Sequence, residues 1–193
     1  MFKISLWALV FGIAFGYASC GFTQDKASPS IPLDKVRSDS ISTNWEVRMH
    51  VAERLASDHT EATFRVLLLL LKDKHDDVSY AAAESIEARK DKAFDGELIA
   101  AIKSLSRDNR WPAYRAAKNY PTQRMLSFIR QCLEEEIQFQ RQRTAFDSRN
   151  CFYLAQSLGQ IARRLKADIK AMPPEDADLQ AYQSFADSIK HVQ

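Results

Sequence analysis

Glycine is scarce in this 193-residue chain: there are five, and three of them (Gly12, Gly16 and Gly21) fall within the first 21 residues. Gly96 and Gly159 alone serve the remainder. Tight β-turns and phosphate-cradling loops need residues without a Cβ, so a β-rich fold or a Rossmann-type nucleotide site is not supported. The chain also has no CxxC pair, HExxH or GxSxG motif and no zinc-finger spacing, and so no recognisable redox, metalloprotease or acyl-transfer site. Charge of one sign is missing too. The formal net charge is +2 with charged residues at 27%, which gives no global basic field for nucleic acid. No catalytic set, cofactor site or metal site is therefore expected, and no nucleic-acid partner.

The hydrophobic share is 46%, ordinary for a folded domain with a sizeable core. An all-α fold is the leading class. The N-terminus departs from the rest: Lys3 precedes an uncharged apolar run from Ile4 to Ala18. Those 15 residues match a signal-peptide core and fall short of the roughly 20 that span a membrane. Residues 1–19 are read as an export signal. Ala18 and Ser19 before Cys20 resemble the bacterial lipobox, although Tyr17 stands where an aliphatic residue is usual. The resemblance implies that Cys20 carries lipid; ordinary secretion and an uncleaved anchor are the alternatives. Residues 20–42, rich in Ser, Asp and Pro, read as a tether or loosely packed lead-in.

Export places Cys132 and Cys151 in an oxidising compartment. They flank "QFQRQRTAFDS", and a hairpin turning near residues 139–148 would bring them level for a disulfide. The alternative is two separately buried thiols.

Three segments align beneath one another: "NWEVRMHVAERLA" from 44, "DDVSYAAAESIEA" from 76 and "RWPAYRAAKNYP" from 110. Registered on Ala52, Ala83 and Ala117, they share Val47, Val78 and Pro112, then Leu55, Ile86 and Tyr120, on one helical face. The spacing is 31 residues and then 34, a range that signals stacked helical pairs. Each is followed by a second amphipathic segment: "EATFRVLLLLLKD", "GELIAAIKSLSRD" and "TQRMLSFIRQCLEEEI". Asp58 and Asp95 stand at expected N-caps, and Asp76 or Asp77 is expected to cap the helix after the turn at His75. The Asp-Asp-Val and Ala-Ala features resemble short bacterial HEAT-like repeats over roughly residues 44–138, with Arg48 alone at the family's arginine position. What the resemblance implies is a short α-solenoid of about three HEAT-like helical hairpins over 43–138. A C-terminal helical pair over 139–193 would cap it, broken by Pro173 and Pro174.

Aromatic residues are the best candidates for function. In this register Met49, Tyr80 and Tyr114 share a position beside Glu53, Glu84 and Lys118, and Trp45 and Trp111 sit near the starts of the same helices. Large rings bordered by charge are a common form of partner-binding surface; the alternative is that they pack against the neighbouring repeat. The sequence therefore reads as a non-enzymatic protein–protein interaction module, either a scaffold or an inhibitor/immunity-type binder. It would be exported to the periplasm or held at the outer membrane through Cys20. A structural envelope lipoprotein, or a relative of the HEAT-like chromophore lyases, is the alternative.

Overall fold

Short amphipathic segments separated by polar turns can bury their apolar stripes only by stacking on one another, and they do so here. The computed structural model describes residues 32–143, 149–166, 170–174 and 176–189, and among these it contains no strand. The expected export signal over 1–19 and the lipid-accepting Cys20 lie outside the described residues. The fold is all-α. Its helices are α1 (Leu33–Ser40), α2 (Trp45–Arg54), α3 (Glu61–Leu70), α4 (Asp76–Arg89), α5 (Asp95–Ser104), α6 (Trp111–Ala117), α7 (Gln123–Arg141), α8 (Arg149–Arg164) and α9 (Leu179–Ser188).

The even-numbered helices from α2 onward form one row: α2 packs on α4, α4 on α6, and α6 on α8. Behind it α5 packs on α7 and α7 on α9. Phe64 of α3 stacks on Phe94 just before α5, with centroids 4.7 Å apart. The core lies between the rows and runs without interruption from Val36 to Ile189. α8 thus continues the first row as a fourth pair with α9. The boundary expected at 138/139 falls inside α7, which runs on to Arg141.

The tether expected over 20–42 is corrected at its end. Residues 33–40 form α1, which packs on α2 and α3 and buries Val36. The segment "LDKVRSDS" has a single large apolar residue on its inner face, too little for periodicity to reveal a helix.

Burial fixes the true period. Leu67, Leu98 and Ile129 are fully buried, as are Leu71, Ile102 and Leu133, and each triplet is spaced by 31 residues. The first helices follow the same count: Val51, Ala82 and Ala113 are buried at 31-residue steps, and so are Leu55, Ile86 and Ala117. The second spacing of 34 is therefore a misregistration by almost one helical turn. It arises because alanines are buried at 113, 116 and 117 alike, so a match on an Ala-Ala pair does not fix phase.

The corrected register also restores the second arginine. Arg110, not Ala113, stands 31 residues after Ser79, which itself follows Arg48 by 31. Arg48 donates through Nη1 to the carbonyls of Ser42 (2.6 Å) and Thr43 (3.3 Å), and Arg110 donates through Nε to that of Leu105 (3.0 Å). Each ties the start of a first helix to the connection before it.

Caps differ from expectation in detail. Thr60 caps α3 by accepting from the Thr63 amide, while Asp58 accepts from the Thr60 amide and the Thr63 hydroxyl. His75 occupies the N-cap position of α4, and Asp76 and Asp77 lie in its first turn, where carboxylates suit the helix dipole. Asp95 starts α5 and accepts from the Thr122 hydroxyl at 2.6 Å, joining α5 to the N-terminus of α7.

Candidate interaction surface

The 31-residue period brings together a different aromatic set from the one the first alignment selected. Met49 of α2, Tyr80 of α4 and Trp111 of α6 are 31 residues apart and all half-buried. Because these helices pack side by side, the three side chains fall in line across them. Tyr80 and Trp111 approach to 5.7 Å between ring centroids, and Trp111 and Tyr153 of α8 to 5.5 Å. Phe152 meets Tyr153 edge-on at 5.6 Å. The result is a ridge of rings crossing α4, α6 and α8, with Met49 at its α2 end.

A charged line runs beside it. Glu53, Glu84 and Arg115 follow the same 31-residue step. Arg115 lies over the Tyr80 ring at 5.1 Å, donates to the Tyr80 hydroxyl, and pairs with Glu84 (3.2 Å) and Glu87 (3.3 Å). Burial opposes its charge, but Tyr80, Glu87 and Glu84 outweigh that and hold its pKa above the ordinary value. Lys118 pairs with Glu87 at 2.7 Å, one turn further along. These contacts hold the α4 and α6 side chains in one geometry.

Of the five residues singled out from the sequence, Tyr80 and Trp111 come together, and Met49 shares their register on α2 while packing against the core. Trp45 does not join them: it stacks on His75 at 4.2 Å with rings 4° from parallel, clamping the start of α2 to the turn before α4. Tyr114 is a correction. It is 3% exposed, and its hydroxyl lies beside Cys132 and Arg110 on the α7 side, so it belongs to the core. Burial raises its phenol pKa above the usual value. Tyr153, Phe152 and Arg115 were missed. The α8 aromatics follow a longer connection that breaks the period, and Arg115 appears only once the register is set to 31 residues.

The expected disulfide is also corrected. Cys132 and Cys151 are both buried and stand as two thiols, not a bridge. Each sits on the apolar face of its own helix, α7 or α8, and burial pushes the Cys132 thiol up to about 12. Among the described residues no group of three or more His, Cys, Asp or Glu side chains converges as a metal site, and no helix is long and apolar enough to cross a membrane. No protein-family model matches the chain, and no curated protein is significantly similar to it.

Proposed function

We propose that this chain is a non-enzymatic binding protein of the bacterial envelope. In this reading it is a short HEAT-like solenoid held at the membrane through lipid on Cys20, with the ridge Met49–Tyr80–Trp111–Tyr153 presented to another protein. The observation that carries the reading is the ridge itself: half-buried rings, in mutual contact and braced by Arg115, on successive helices. Packed helices lie roughly 8–10 Å apart, so a row crossing four of them is roughly 30 Å long. A partner fits as an elongated segment laid across the row, with apolar side chains against the rings. The exposed carboxylates Glu46, Glu53 and Asp77 at the α2–α4 end favour cations on the segment there.

The titratable groups support binding rather than catalysis. Tyr114, Tyr120 and Cys132, whose values shift most, are packed in the core and do not line a cleft. A photo-crosslinking amino acid in place of Tyr80 in the full-length protein tests the reading in the native envelope. One dominant protein adduct at that position, absent when the same group replaces exposed Arg143 at the end of α7, supports it. Equal or no adducts at both positions contradict it.

A further inference from the structure

Ile41 and Leu69, 74% and 54% exposed, are the large apolar side chains left most open to solvent among the described residues. They are 28 positions apart in the chain but line one open recess of about 510 Å3 at the α1 end of the stack. Ile41 caps the C-terminus of α1, and Leu69 lies in the last turn of α3. Lys72 and Lys74 line the same recess, are exposed, and make no ion pair among the described residues. Asp73 is the one carboxylate among the lining residues, and Arg48 neutralises it at 2.6 and 2.8 Å. The rim is therefore apolar and net cationic.

The chain enters the fold at this end. α1 begins at Leu33, and eleven residues separate Cys20 from Pro32. Fully extended, that connection reaches at most about 40 Å. A lipid on Cys20 would thus hold this end of the stack, before any other, against the headgroup layer. Two apolar side chains flanked by lysines whose aliphatic stems can lie along them match the boundary between acyl chains and anionic headgroups.

We propose that the Ile41–Leu69–Lys72–Lys74 surface docks on an anionic lipid bilayer, which turns the aromatic ridge to a fixed angle above the membrane. The inference rests on the proposed lipidation of Cys20 for its local concentration but not for its chemistry. The two cations together favour the docked state about 30-fold, at about 1 kcal/mol for each cation near an anionic surface.

The test places an environment-sensitive fluorophore at Ile41→Cys, at Leu69→Cys and, as control, at Glu53→Cys in the full-length exported protein. Each is mixed or reconstituted with phosphatidylethanolamine–phosphatidylglycerol vesicles carrying a nitroxide-labelled lipid. Intact mass of the same samples reports whether Cys20 bears lipid. The expected result is severalfold stronger quenching at 41 and 69 than at 53. Lys72→Gln with Lys74→Gln should shift the docked-to-undocked ratio about 30-fold towards undocked. Equal quenching at the three sites on lipid-bearing protein overturns the docking while leaving the anchor intact. Mass without lipid removes the anchor, and added vesicles then test the surface directly, with quenching confined to 41 and 69 supporting it and none overturning it. Shielding of 41 and 69 in the absence of vesicles would assign the face to a second copy of the chain and overturn the proposal.

Discussion

Arg48 and Asp73 hold α2 against the turn that leads into α4, and breaking this pair should measure how firmly the first two units are joined. The guanidinium donates from Nε to Oδ2 at 2.6 Å and from Nη2 to Oδ1 at 2.8 Å, with side-chain exposures of 9% and 10%. It also serves the Ser42 and Thr43 carbonyls, while Asp73 accepts from the His75 amide at 2.9 Å. Arg48→Met keeps the aliphatic stem but leaves a mostly enclosed carboxylate and two carbonyls short of a donor. Breaking a buried pair costs about 3–5 kcal/mol and an exposed one below about 1. This pair borders an open recess, so about 3 kcal/mol is expected, or roughly 6–12 °C in Tm for a domain of this size. Thermal and urea melts followed by circular dichroism, run on Arg48→Met, Asp73→Asn and the double variant, provide the assay. The double variant should lose less than the sum of the single losses, with coupling of about 2 kcal/mol. A loss below about 0.5 kcal/mol for Arg48→Met, or strict additivity, would refute the clamp.

Leu98→Ala, in the fully buried position shared with Leu67 and Ile129, should cost about 2–5 kcal/mol in a urea melt. Tyr120→Phe removes only the hydroxyl that donates to the Ile86 carbonyl at 3.1 Å and should cost about 1 kcal/mol in the same assay. Asp58, Asp73 and Asp91 are all held below the usual carboxylate range. At each, burial works against the charge but is outweighed by hydrogen bonds, respectively from Thr60 and Thr63, from Arg48 and the His75 amide, and from His59 and Arg89. Groups depressed in the folded state add stability that is fully present above their unfolded value of about 3.9 and lost as pH falls through the folded values. Urea midpoints should therefore hold from neutral pH to about 5 and drop below about 4; an unchanged midpoint at about pH 3 would count against these contacts. Cys132 and Cys151 should resist a thiol reagent at pH 8 in the native protein and react on unfolding.

Apart from α1, the sequence discloses the helices but not their phase. "EATFRVLLLLLKD" and "GELIAAIKSLSRD" carry enough leucine and isoleucine to mark the second-row helices, but their runs of apolar residues also fit more than one register, and only burial selects the pairs Leu67/Leu98 and Leu71/Ile102 at 31 residues. α6 is only seven residues long and three of them are alanine, so an Ala-Ala match fits two registers. The 34-residue register puts Tyr114, which is buried, on the surface and hides the contact of Tyr80 with Trp111. α1 was invisible because Val36 is its one large buried apolar side chain. The bridge is absent although α7 packs on α8: Cys132 and Cys151 are each buried as thiols within their own helices, the second of the two readings that the sequence left open. Tyr153 belongs to the site only through tertiary contact with Trp111, which no local pattern encodes.

The central claim, that the ridge binds a protein, is tested most directly by chemical crosslinking of full-length tagged protein in its native envelope. What co-purifies in near-equal amount is quantified for the native chain and for Tyr80→Ala with Trp111→Ala. Both substituted side chains are half-buried, so helical circular dichroism of the variant is recorded beside that of the native chain and only a variant with the native spectrum is scored. The account predicts one stoichiometric protein with the native chain and its loss, by at least about tenfold, from the folded variant, as expected when two aromatic hot spots are truncated. The same protein retained at full yield by the folded variant, or no stoichiometric protein with the native chain, would contradict it.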